Sequence, residues 1–267
     1  MPEGPEVRLV TDGLAKTIVG HKIVRAEILS GRYAKKQPDG WDVLQGSLPL
    51  DVKSTDCKGK FIYSELSGGK FLLSTLGMTG SWSSRLTKHS RLKFVLDDGG
   101  TVYFNDIRNF GTVKLINSRS LLDKKLNELG PDMLSGDVSD DVFIRSIRRY
   151  NKTLAEVLMD QKIICGVGNY LKAECLYFSK LSPHRLTSTL SDAELKNLNS
   201  VIKKVIKTSY ETGGATIYTF SSYDGEKGDY TKRFAVYNQT QDPMGHEVKR
   251  ETTRDGRTTF WVPTIQN

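Results

Sequence analysis

Apolar residues fall near helical spacing at the start of the chain, at Val7, Leu9, Val10, Leu14 and Ile18, and the pattern predicts one helix over 3–18 that Gly20 stops. From His21 to Ile116 the texture changes to short β-rich runs. Strands are expected at Lys22–Leu29, Phe61–Leu66, Lys70–Thr75, Arg91–Leu96, Thr101–Phe104 and Thr112–Ile116, with hairpin turns at Gly68-Gly69 and Asp97-Asp98-Gly99-Gly100. Runs so short and so regularly broken predict an antiparallel sandwich or barrel. Helical periodicity then returns at Ser120–Leu129, Val142–Arg149, Leu154–Asp160, Asn169–Phe178 and from Ser191 to Thr212. A polar loop, Ala215 to Arg233, is too long for a mere connection. A β-hairpin is expected last, from Phe234–Thr240 and Glu247–Val262.

The expected fold class is therefore α+β, with an N-terminal helix and antiparallel β-sandwich followed by helices and a terminal hairpin. A Gly-Pro-Asp and Ser-Gly-Asp linker places a domain boundary near 130–140, and with the terminal hairpin set apart the expected domains are 1–132, 133–233 and 234–267.

With 267 residues and 37% hydrophobic content a core of ordinary size is available. Apolar runs fall far short of a bilayer span, so a membrane protein is excluded and a soluble intracellular one expected. Three cysteines, Cys57, Cys165 and Cys175, lack metal-ligand spacing and leave an odd thiol, which argues against a disulfide framework or thiolate metal site. Thirty-nine Lys and Arg against 31 acids give a net charge of +8. That excess leans toward a polyanionic partner.

Candidate chemistry begins at the N-terminus. Removal of Met1 would leave Pro2 with a free secondary amine, and an α-amino group with a pKa of about 7.7–8.0 is partly neutral at physiological pH. A neutral amine can attack a sugar C1′ and collapse to a Schiff base. Glu3 is a carboxyl beside it able to move protons, and Glu6 lies in the same turn. Proline and acids also suit an ordinary helix start. Lys60, at the opening of a strand in Lys58-Gly59-Lys60, is placed to hold a phosphate. Met78 in a glycine-flanked turn, with Arg108 and Phe110 on the loop Asn105–Gly111, could form a wedge that enters a base stack. Two glycines, Gly166 and Gly168, precede the helix that starts at Asn169-Tyr170, leaving backbone N–H groups for a phosphate.

Taken together, these motifs resemble the formamidopyrimidine-DNA glycosylase / endonuclease VIII family of base-excision repair enzymes. The resemblance rests on Met1–Val7, Lys58-Gly59-Lys60, Gly77-Met78-Thr79-Gly80, Asn105–Gly111, Leu158-Met159-Asp160-Gln161, Gly166–Tyr170 and Gly256–Phe260, in that order over nearly the whole chain. It implies a bifunctional glycosylase and β,δ-lyase acting as a monomer on damaged double-stranded DNA, which would run between a β-sandwich and a helical domain. By resemblance, Pro2 is the nucleophile, Glu3 protonates the sugar ring oxygen and Glu6 supports the pocket. Lys60, Asn169, with Tyr170 beside it, and Arg257 clamp phosphates at the lesion. Met78, Arg108 and Phe110 fill the vacated stack, and His89 matches a DNA-contacting position.

The chain departs from the family at several places. Many members end in a four-cysteine zinc finger, whereas Val262 and Ile265 stand at the second cysteine pair here and the first is replaced around Met244–Glu247, so a zincless hairpin with no metal or other cofactor is expected. A lysine common before the Leu-Met-Asp stretch is Ala155, which would lose a phosphate contact or move it to Lys152. Gly4 resembles the branch that favours oxidised pyrimidines and hydantoins. The wedge and the loop from Thr216 and Tyr218 through Tyr230 resemble the branch that removes 8-oxoguanine and formamidopyrimidines. Broad specificity is the expectation, with an 8-oxoguanine preference or a catalytically silent DNA-binding module as alternatives.

Overall fold

The computed structural model describes residues 2–135, 138–216, 223, 225 and 228–267. The chain divides into two compact units. The first holds Met1–Pro2, Glu6–Asn127 and Gly213–Gly228, and the second holds Glu3–Pro5, Glu128–Thr212 and Asp229–Asn267. The described residues of segment 213–228, assigned from sequence to the helical domain, thus group with the β-rich unit, and the terminal hairpin groups with the helices.

In the first unit, α1 (Gly4–Ile18) buries Val7, Val10, Leu14 and Ile18 in one continuous core. Eight strands follow: β1 (Lys22–Ile28), then, after the short helix α2 (Trp41–Gln45), β2 (Leu50–Lys58), β3 (Phe61–Leu66), β4 (Lys70–Thr75), β5 (Gly80–Ser83), β6 (Ser90–Leu96), β7 (Thr101–Asp106) and β8 (Thr112–Ile116). They are antiparallel in the order β5-β7-β6-β1-β2-β3-β4-β8. At the middle, β1 and β2 meet only at Lys22↔Asp51 and Ile23↔Leu50, and there the sheet folds back on itself. Trp82 on β5 donates its indole N–H to Ser74 on β4 at 3.0 Å, although those strands lie near opposite ends of the order. The rings of Phe94 and Phe104 pack on Trp82 at 5.5 and 5.2 Å, closing a sandwich core.

Two strands were not anticipated. In β2 Asp51, Lys53, Ser54 and Asp56 outnumber the apolar positions and hide the alternation, while β5 is only four residues long. Helix α3 (Arg119–Asn127) ends the unit.

The second unit contains α4 (Asp140–Arg148), α5 (Leu154–Met159), α6 (Asn169–Ser179) and α7 (Asp192–Glu211). Capping boxes at Thr153/Glu156 and Ser191/Glu194 start α5 and α7. Helix α6 is buried nearly all round, Lys172 and Glu174 included.

The terminal hairpin is displaced from its expected position. Its strands are β9 (Lys249–Thr252) and β10 (Thr258–Trp261), both inside the single strand expected over Glu247–Val262, and its turn is 253–257. Phe234–Thr240 forms no strand. The reason is Glu174, a buried carboxylate on α6 that accepts the backbone N–H groups of Ala235, Val236 and Tyr237 at 2.8, 3.0 and 2.8 Å. Those donors are consumed before any sheet partner can use them. Burial raises the pKa of Glu174 and the three N–H groups oppose the shift. Val262 is buried in the hairpin's core with Phe260, Val248 and Val236, and Ile265 packs against it. With apolar side chains there and no cysteine beyond Cys175, the residues present do not fit a thiolate-held metal.

Candidate functional site

In the first unit the sequence-predicted residues lie on α1 and on the loops between strands. Pro2 is buried ahead of α1; Met1 lies outside the described residues. Glu6, in the first turn of α1, is 1% exposed and accepts the backbone N–H of Ala215 at 2.7 Å. Its carboxylate is thereby tied to the residue that follows Gly213-Gly214. The loop closes at its base where Gly228 N donates to Thr216 Oγ1 at 2.7 Å. Tyr223 is buried in the core, and Tyr218 lies outside the described residues.

Two residues along α1, Arg8 donates to Asp56 Oδ1 at 2.7 Å and to the Cys57 carbonyl at 3.1 Å. This contact holds the end of β2, and so the Gly59-Lys60 turn, against the N-terminal half of α1. Lys60 is half-buried in that turn.

The wedge residues are brought together by a buried acid that the sequence did not single out. Asp106, 1% exposed, accepts from Thr79 Oγ1 at 2.6 Å, Arg108 N at 3.2 Å and Gly111 N at 2.7 Å. It thereby ties the turn carrying Met78 to the loop carrying Arg108 and Phe110. Arg91, also buried, braces the same loop by donating to the Asp106 carbonyl at 2.7 Å. Gly77 has a positive φ of 57°, and a Cβ there would stand 2.7 Å from the backbone of Phe110 and Gly111. Only glycine lets the two loops meet so closely. At the tip, Met78 is 37% and Phe110 53% exposed, and the Arg108 guanidinium lies 4.7 Å from the Phe110 ring. His89 is half-buried in the turn before β6, where its carbonyl accepts from Asp106 N at 3.0 Å.

In the second unit the first turn of α6 is the organising element. Its free N–H groups are taken by Glu3: Tyr170 N donates to Oε1 at 3.0 Å and Leu171 N to Oε2 at 3.3 Å. A carboxylate at a helix N-terminus is favoured both by these donors and by the helix dipole. Glu3 is 3% exposed, and Gly168 is packed so tightly on it that a Cβ would lie 2.2 Å from Glu3 Cδ.

Of the two glycines before α6, Gly168 thus packs against Glu3, while the Gly166 carbonyl accepts from Gly4 N at 2.8 Å. Tyr170 is fully buried among the rings of Tyr230, Phe234 and Tyr237, with its hydroxyl on Ser209 at 2.9 Å. This corrects the expectation of a DNA contact: the ring is core, and the residue reaches the site through its backbone N–H. Asn169 is half-buried and donates through Nδ2 to the Thr258 carbonyl at 2.9 Å, while its Oδ1 is buried without a hydrogen-bond partner. Arg257 is exposed in the β9–β10 turn directly before Thr258. Ala155 is fully buried, and Lys152 is half-buried, its ammonium 3.6 Å from Asp160.

Sequence reasoning also missed Lys172 on α6, whose ammonium is fully buried 2.6 Å from Asp255 in the hairpin turn. A lysine and a glutamate inside an otherwise apolar helix were the available signal. Among the described residues one group could offer several metal ligands, His21 with Asp97 and Asp98, and its acids are exposed at the end of β6.

The first unit thus carries exposed aromatic and cationic side chains on its loops, and the second a buried carboxylate at a helix N-terminus and an exposed arginine on a hairpin turn. Residues 1–113 match the formamidopyrimidine-DNA glycosylase N-terminal domain, 129–221 its H2TH domain and 225–267 its C-terminal domain. The chain belongs to the formamidopyrimidine-DNA glycosylase family, DNA glycosylases of base-excision repair that also carry abasic-site lyase activity. It is 30% identical to the formamidopyrimidine-DNA glycosylase of Ruegeria pomeroyi over 285 residues, covering 100% of both chains. To that of Streptococcus pneumoniae it is 32% identical over 280 residues, covering 100% of this chain and 99% of the relative.

Among solved structures, a Lactococcus lactis mutant in complex with Fapy-dG-containing DNA matches with a TM-score of 0.88 at 27% identity over 100% of both chains. The Thermus thermophilus protein matches with a TM-score of 0.86 at 29% identity, covering 99% of this chain and 98% of that one. These similarities bear out the α+β fold class. No helix among the described residues is long and apolar enough to cross a membrane.

Proposed function

We propose that this chain excises oxidised bases from double-stranded DNA and cleaves the strand through a Schiff base on Pro2. With Met1 removed, the neutral Pro2 amine attacks C1′ of the extruded nucleotide. The C1′–N glycosidic bond breaks, and the base leaves with its electron pair and is protonated by water. Glu3 takes the proton that the amine nitrogen loses and delivers it to the ring oxygen O4′ as the C1′–O4′ bond opens, leaving an iminium. Loss of a C2′ proton then expels the 3′-phosphate, and a second elimination expels the 5′-phosphate. No metal or other cofactor enters these steps.

Lys60, Asn169 and Arg257 hold backbone phosphates, and Met78, Arg108 and Phe110 fill the gap left in the stack, with Arg108 facing the opposite base. His89 contacts the DNA backbone near the wedge. Extrusion costs a few kcal/mol, part of which the wedge offsets. The protein acts as a monomer.

The observation that carries this reading is the Glu3 carboxylate, pinned by two N–H groups of α6 one residue from Pro2. Substrate breadth is supported by relatives of 26–27% identity that were solved with DNA containing Fapy-dG, an oxidised pyrimidine or a carbocyclic 8-oxo-G.

The test is borohydride trapping on duplexes carrying 8-oxoguanine opposite cytosine, a hydantoin, an oxidised pyrimidine and an abasic site. A covalent complex is expected on all four and is lost in Pro2→Gly. Trapping confined to 8-oxoguanine and the abasic site would instead indicate the narrower specificity. No trapped species at the abasic site would make the chain a binding module and refute the mechanism.

A further inference from the structure

We propose that Lys172 is a positioning residue for Arg257, setting the hairpin turn that presents the guanidinium to the DNA backbone; the inference rests on the clamp role given to Arg257 above. A buried lysine is costly, and burial here lowers the pKa of Lys172, although Asp255 and Glu3 act to keep it charged. Apolar residues of similar volume often stabilise a core as well as a buried ion pair does, so stability alone is weak grounds for this one. Its geometry supplies a different reason.

The Asp255 side chain is 5% exposed and takes the Lys172 ammonium on Oδ2 at 2.6 Å. Its Oδ1 accepts from the Thr253 hydroxyl at 2.5 Å and from Arg257 N at 3.4 Å. The turn is closed by Thr253 N on the Arg257 carbonyl at 3.0 Å. On the far side of Arg257, Asn169 Nδ2 holds the Thr258 carbonyl at 2.9 Å. Asn169 and Lys172 are three apart on α6 and so share a face. One helical turn thus grips the hairpin at residues 255 and 258, either side of Arg257. The intervening N–H groups of Tyr170 and Leu171 hold Glu3. The same turn of α6 fixes the acid and the clamp relative to each other within this unit.

The test is a double-mutant cycle of Lys172→Met and Arg257→Ala, read as KM and kcat for cleavage of an abasic-site duplex, with Lys172→Arg as the conservative control. We expect Lys172→Met to raise KM about tenfold with the loss falling on KM more than on kcat, Lys172→Arg to recover most of it, and the Lys172→Met effect to shrink to about twofold or less in the Arg257→Ala background. An equal Lys172→Met effect in both backgrounds, no effect in the wild-type background, or no recovery by arginine overturns the proposal. Arg257→Ala without an effect on KM refutes the clamp itself, a separate failure. Should Lys172→Met not fold by circular dichroism, Asp255→Asn enters the same cycle with the same expected and overturning results.

Discussion

Gly168→Ala probes the site through a single methyl group. The new Cβ would stand 2.2 Å from Glu3 Cδ, 2.5 Å from Oε1 and 2.6 Å from Cγ. Carbon atoms pack at about 3.5 Å or more, so the carboxyl must retreat by roughly 1.3 Å, the difference between 3.5 and 2.2. A retreat of that size breaks the hydrogen bonds from Tyr170 N and Leu171 N, now 3.0 and 3.3 Å. Gly168 itself has an extended backbone (φ −134°, ψ −159°) that alanine adopts without strain, so the effect is steric and local. Misplacing a catalytic group by about 1 Å costs on the order of 100-fold in rate.

The assay is single-turnover base release from a formamidopyrimidine duplex, run beside Glu3→Gln. Both variants are expected to lose at least about 100-fold. Cleavage at a preformed abasic site, whose sugar exchanges with an open aldehyde that needs no proton delivered to O4′, falls less. A Gly168→Ala enzyme that releases base at the wild-type rate would refute the placement of Glu3 as the proton-moving group.

Two further predictions concern the scaffolding. Asp106→Ala removes the acceptor for Thr79, Arg108 and Gly111. It should cost about 2–4 kcal/mol in urea unfolding and raise KM on lesion duplexes by releasing the wedge loop; a variant of wild-type stability would show that the three bonds are not what joins the two loops. Glu251 accepts from His184 and Trp261, at 2.8 and 2.6 Å, and lies 3.1 Å from the Lys249 ammonium. Burial alone would raise its pKa, but those donors outweigh it and hold the carboxyl at about 2, below its ordinary 4.5. The unfolded chain therefore binds this proton more readily, and the contribution is present above pH 4.5 and lost as pH falls toward 2. Thermal melts of wild type and Glu251→Gln should differ most above pH 5 and converge near pH 2; a difference that grows on acidification would reverse the sign and refute the account.

Much of this protein is determined locally. The amphipathic face of α1, the strands around tight Gly and Asp turns and the capped helices arise from neighbours along the chain, as do the motifs that contain Pro2, Glu3 and the wedge residues. Local periodicity and turn chemistry act over a few residues, and pattern reading reaches that far.

Long-range pairing was decided only in three dimensions. The polar strand β2 exists because β1 and β3 flank it, and the segment after Tyr230 is irregular because Glu174, 61 to 63 positions earlier, takes its N–H groups. Asp106 reads as an ordinary loop acid until Thr79, 27 residues away, is seen donating to it. Tyr170 reads as a contact residue until three aromatic rings close over it. Burial turns such side chains from solvated groups into fixed ones, because an unpaired polar group away from water is costly and must find its partner wherever the fold brings one.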